Sequence, residues 1–277
     1  MTARFTFDRL RRAVPALLLL PFLVAFSDEA GLHASYSVSI AGLEIGRFEL
    51  NVQLTGKAYR LSGTGRVTGL ARMFSSGHGA AESYGALQGG KVVPIHYSYW
   101  ERGSKSLAID MDVTGGDVHR LSVAPPVDPA PDRIPVTELH KRGILDPMSA
   151  LLFSVRGNGS PLSPAACAQT LAIFDGRQRF DIELSYAGLR EVHTPRGYRG
   201  PVVVCRAAYR PIAGHRAAKK EVRQVQANRS IEAWLAPVEG TRVLLPYRIS
   251  IRTVLGEGVV EADRFETRPV ARQASSH

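Results

Sequence analysis

Sulfur is scarce in this sequence: the 277 residues include 2 cysteines and 4 methionines. Neither cysteine has a CxxC or CxxH neighbour, so a sulfur-rich zinc site finds no support. His33, His78, His96, His119, His140, His193, His215 and His277 make no HxH, HExxH or HxxxH pair, which removes the usual signals of a metal centre. No G-x-S-x-G elbow or S-x-x-K motif appears, and the glycines from Gly63 to Gly69 have the wrong spacing and context for a dinucleotide loop. No catalytic residue, metal ligand or cofactor is therefore expected. A basic cluster interleaved with aromatics is missing too, which argues against nucleic acid. No apolar run reaches the roughly 20 residues that span a bilayer as a helix.

What is present begins at the N-terminus. Arg4, Arg9, Arg11 and Arg12 precede an apolar run from Ala13 to Phe26, broken by Pro15 and Pro21 and followed by Ala25-Phe26-Ser27. That layout predicts a signal peptide over residues 1–27, with a mature chain starting near Asp28 and no stable membrane insertion after cleavage. An uncleaved anchor is the alternative. No cysteine follows the apolar run, so lipidation there is not expected. The formal charge is +10, of which four arginines and one aspartate in the leader supply +3, leaving +7. These charges are spread as single arginines on alternating positions, the pattern of a solvated face. The other reading is attraction to anionic headgroups or acidic envelope polymers.

Export changes how the cysteines are read. In an oxidising compartment Cys167 and Cys205 most simply form one disulfide, with two buried free thiols as the alternative. Closing that loop stabilises the fold by about 4 kcal/mol in the chain-entropy model.

The rest of the chain reads as strands. Tyr36, Val38 and Ile40 alternate with Ser35, Ser37 and Ser39; Phe48, Leu50, Val52 and Leu54 alternate with polar residues in the same way. A third strand runs from Tyr59 to Val67, where Gly63 and Gly65 suggest a bend or close packing. Thr68 to Phe74 predicts a short helix. The Gly/Ala-rich stretch after it predicts loop with a weak strand. Strands resume over 92–100, with Ile95, Tyr97 and Tyr99 on one face, and over 106–113 and 118–123. Five prolines between Ala124 and Pro135 demand a surface loop. Asp146-Pro147 predicts a helix start, with Met148, Leu151, Leu152 and Val155 as its apolar stripe. Asp175-Gly176 predicts a two-residue hairpin turn ahead of Phe180, Ile182, Leu184 and Tyr186. Cys205 lies in a further strand, and others follow over 230–235, 244–254 and 259–265. The total is about eleven or twelve strands. Asp110 and Asp112 share one face and are read as solvated; His96 is read as facing solvent.

The Tyr36…Gly42…Gly46 opening, DPMSALL at Asp146–Leu152, IFDGRQRFDI after Cys167 and AAYRPIAG after Cys205 together resemble a group of exported Gram-negative proteins of unknown function. That group is similar to periplasmic β-spiral cell-envelope-integrity proteins and, more distantly, to the curved sheet of lipoprotein carriers. The resemblance implies a periplasmic location, a disulfide at Cys167 and Cys205, and no established catalytic residue. The expected fold is mainly β: a strongly curved antiparallel sheet, β-spiral or open barrel, with two or three short helices, one domain over 28–268 and a disordered tail over 269–277. The expected role is a non-enzymatic binding or scaffold protein supporting envelope integrity, with a lipidic ligand or an envelope protein as partner. Its ligand-binding residues are unknown at this stage. An envelope hydrolase with dispersed catalytic residues is the alternative, and an outer-membrane barrel is disfavoured.

Overall fold

Strict alternation over residues 30–54 leaves each strand one apolar face, and burying that face forces the sheet to curl. The computed structural model describes residues 30–73, 76–104 and 106–269. The predicted signal peptide over 1–27, Phe74 and positions 270–277 lie outside the described residues. Fifteen strands form one sheet. They are β1 (Ala30–Ile40), β2 (Leu43–Leu54), β3 (Ala58–Val67), β4 (His78–Gln88), β5 (Lys91–Arg102), β6 (Leu107–Thr114), β7 (Asp117–Ala124), β8 (Phe153–Ser154), β9 (Thr170–Phe174), β10 (Arg179–His193), β11 (Arg196–Gly197), β12 (Arg199–Ala213), β13 (Ile231–Pro237), β14 (Val243–Thr253) and β15 (Gly256–Pro269). The order runs from β7 back to β1, then β15, β14, β13, β12, β10 and β9, with β8 and β11 attached to the side. Ala30 pairs with both Leu54 and Pro269, so the first and last strands lie side by side in mid-sheet.

The two ends of this sheet meet. A Cβ on Gly176, between β9 and β10, would lie 2.7 Å from Ile109 Cγ2 on β6. The segment around Ile144 and Leu145 bridges the seam. Ile144 N donates to Gly116 O, Leu145 N to Ala172 O, and Phe174 N to Leu145 O. Inside the curl, Leu50, Leu61, Met111, Phe174, Leu245 and Phe265 form one core. A second core holds Phe153, Cys167, Val203, Cys205 and Leu244. Val202 and Leu245 belong to the first while their neighbours Val203 and Leu244 belong to the second, so β12 and β14 are buried on both faces. Continuous apolar runs there, in place of alternation, follow from that double burial.

Several expectations are corrected. The predicted helix after Asp146 shrinks to a 3-10 turn over Ser149–Leu151, because the chain crosses the core there and then enters β8. Met148, Leu152 and Val155 are nonetheless buried. The helix predicted after Thr68 is a 3-10 helix over Gly69–Met73, and the one α-helix among the described residues, α1 (Lys220–Ala227), occupies the basic run after His215. The Gly/Ala-rich stretch is the full strand β4. Residues 175–178 make a four-residue loop, since Arg179 pairs with Phe174; Asp175 Oδ1 accepts from the amides of Arg177 and Gln178. Ile95 is the extra residue of a bulge, because Tyr84 pairs with His96 and Gly85 with Pro94. It is turned outward, away from Tyr97. Tyr186 is exposed too, and Pro269 closes β15 where the tail was expected to begin.

Candidate functional site

The disulfide forms as expected: Cys167 and Cys205 are bonded, with Cα atoms 5.5 Å apart and both side chains buried. It pins the 3-10 turn Pro164–Cys167 to β12.

The opening at the β1–β2 turn end of the curl is built by register. Phe48, Gly65, Gly79 and Glu101 pair in one row across β2 to β5, and Leu50, Gly63, Ala81 and Tyr99 in the next. Small residues on the two middle strands leave a trough between the large residues on the outer two. This groove encloses about 540 Å³. Each glycine has a distinct cause. A Cβ on Gly63 would strike the Phe48 ring at 2.6 Å, and one on Gly79 would strike Trp100 O at 2.5 Å. A Cβ on Gly65 would meet Phe48 Cδ2 at 3.7 Å and Arg47 O at 3.8 Å, ordinary contact distances, so this position accepts a side chain. Beside Phe48 lies a further apolar recess of about 60 Å³, bordered by Tyr36, Leu50, Leu151 and Val260.

Beneath Gly63, a buried hydrogen-bond network accounts for the DPMS motif. Asp146 is wholly buried; its Oδ1 accepts from Met148 N and Ser149 N, both at 2.9 Å. Its Oδ2 accepts from Ser83 Oγ at 2.9 Å and from Ser149 Oγ. Tyr59 and Ser149 hydroxyls are 2.6 Å apart. The turn is thereby fastened to β3 and β4, and it sets Met148 beneath Gly63. Burial pushes the Asp146 carboxyl above the usual range, although its hydrogen bonds pull the other way. At the groove wall, Tyr99 donates to Glu101 Oε2 at 2.6 Å, and burial raises the Tyr99 hydroxyl well above the ordinary phenol range.

On the outer face, strand register gathers side chains that no sequence spacing links. His96 Nδ1 lies 2.8 Å from Asp112 Oδ1, and Nε2 lies 3.7 Å from Asp110 Oδ2. Among the described residues, these three are placed so that they could hold a cation together. Arg120 already bridges both carboxylates, at 2.8 Å from Asp110 and 2.6 Å from Asp112, and its hydrogen bond is the main cause that lowers the Asp112 carboxyl. A divalent ion would have to displace that guanidinium. Thr137 Oγ1 and His140 Nδ1, 3.3 Å apart, make a hydroxyl–imidazole contact in an exposed capping box rather than in a cleft.

The groove was not legible from the sequence. Gly63 and Gly65 read only as a bend or close packing, and Gly79 and Ala81 fall in a stretch that reads as loop with a weak strand. The available signal was the period-two run of small residues in two consecutive segments. Among the described residues, no helix is long and apolar enough to cross a membrane.

A family model described as "Protein of unknown function (DUF3108)" matches residues 35–263. No curated protein matches the chain. Among solved structures, a beta-barrel-like protein of the domain of unknown function DUF1849 from Brucella abortus is similar, with a TM-score of 0.48 and 9% identity over 87% of this chain and 97% of that one.

Proposed function

The chain belongs to the DUF3108 family, and from that premise we propose that it is an exported, non-catalytic binding protein of the cell envelope that holds the apolar part of a lipidic ligand in its end groove. The observation that carries this reading is the two-row trough of Gly63, Gly65, Gly79 and Ala81 between Phe48 and Tyr99. A concave apolar site with few polar groups is how proteins hold such ligands. The leader-like N-terminus supports export, and a buried disulfide suits an oxidising compartment such as the periplasm. Support of envelope integrity follows as the process that such a carrier or scaffold would serve.

The test fills the groove. Gly65→Leu adds a side chain at a groove-lining position where a Cβ makes only ordinary contacts, on a backbone that needs no left-handed conformation. Organic extraction of the exported protein followed by mass spectrometry is expected to release a lipid from the wild type. A fluorescent fatty-acid probe is expected to bind at least tenfold more weakly to Gly65→Leu, with Gly65→Ala intermediate. Absence of both extracted lipid and probe binding in the wild type ends the proposal.

A further inference from the structure

The groove's mouth has a distinctive outer rim. Arg66, His78 and Arg102 pair in one row across β3, β4 and β5, and all three are exposed. The same three residues border the groove. Trp100 lies beside them with 42% of its surface exposed. Its ring meets His78 edge-on at 5.6 Å, and the Arg102 guanidinium sits 5.6 Å above it. Among the described residues, neither Arg66 nor Arg102 forms an ion pair. Arg47 extends the row on β2 but is engaged by Glu44 and Asp263. On the outer face Glu49 lies one row away on β2, where it accepts from Ser35 Oγ and faces His33, and Glu82 lies two rows away; Glu101 is held by Tyr99.

We infer that this patch docks the mouth of the groove onto an anionic lipid bilayer. The Arg66 and Arg102 guanidiniums, neither in an ion pair among the described residues, give charge complementarity to anionic headgroups. An exposed indole beside a guanidinium is well suited to the headgroup layer, with an apolar body and a polar N–H. The patch is continuous with the groove, so docking sets the mouth against the source of its ligand. The inference rests on the lipid-holding reading above, yet the two fail separately.

The exported full chain is sedimented with vesicles of phosphatidylglycerol in phosphatidylethanolamine and, in parallel, with phosphatidylcholine vesicles. Binding is expected with the anionic vesicles alone and is expected to weaken as salt rises. R66Q/R102Q should reduce it about fivefold for each arginine removed, R66K/R102K should retain it, and Trp100→Ala should lower it. Melting curves check that these exposed substitutions leave the fold intact. Binding to both vesicle types alike, binding to neither, or binding unchanged in R66Q/R102Q overturns the inference. Gly65→Leu keeps the two readings apart. Docking that persists in the wild type and in Gly65→Leu, with no lipid probe bound by the wild type, removes the groove reading alone; probe binding without docking removes the bilayer inference alone.

Discussion

Asp146 shows how one residue fastens a buried turn to the sheet. Its carboxyl group receives two amides and two hydroxyls in a fully buried site. Asp146→Ala leaves those donors buried without an acceptor and is expected to cost about 3 to 5 kcal/mol, read by denaturant unfolding. Its titration has a definite sign. Desolvation raises the folded carboxyl above its unfolded value, and the same holds for Asp175. Such groups contribute stability that is complete below the ordinary carboxylate range and is withdrawn as pH rises through the raised folded value. Asp112, Asp132 and Glu44 are lowered and act in the opposite direction, but they are solvent-exposed and their contributions are screened. The unfolding midpoint is therefore expected to fall as pH climbs out of the carboxylate range, and Asp146→Asn is expected to flatten that slope.

At the scale of elements, the bulge in β5 separates two residues that alternation had placed together. Tyr97 is buried in the core, 4% exposed, and Ile95 is 46% exposed. Tyr97→Ala is expected to cost about 3 kcal/mol or more, while Ile95→Thr should change the melting temperature little. Strands with clean alternation, such as Ala30–Ile40 and Leu43–Leu54, were legible because burial on one face writes period two into the sequence. β4 was obscured because its inward positions are Gly79, Ala81 and Ser83, which carry no hydrophobic signal. The stripe of Met148, Leu152 and Val155 was buried as expected, but its spacing mimicked a helix in a chain that only crosses the core. α1 has no buried residue, so it offered no apolar period to read. The groove and the Arg66–His78–Arg102 row both depend on register across strands, a property that no single segment contains.

For the whole molecule, the disulfide and the seam divide the work of closure. Cys167 and Cys205 are 38 positions apart and joined inside the second core. Removing the bond, as in Cys167→Ser/Cys205→Ser, is expected to lower stability by about 4 kcal/mol in the chain-entropy model. Because both sulfurs are buried, reductant should open the bond slowly in the folded protein and quickly in denaturant, a contrast read by thiol labelling. The seam has no such covalent lock and rests on hydrogen bonds around Leu145 and contacts such as Gly176 against Ile109.

The direct pairing of Ala30 with Pro269 makes the strand order nearly cyclic. A short peptide spliced between those two residues, with new ends opened in the proline-rich connection after Ala124, should give a permuted chain with the same barrel. Ala30 and Pro269 also lie at the end of the sheet away from the trough, so a protein tethered to a sensor chip beyond either one presents the groove to the solution.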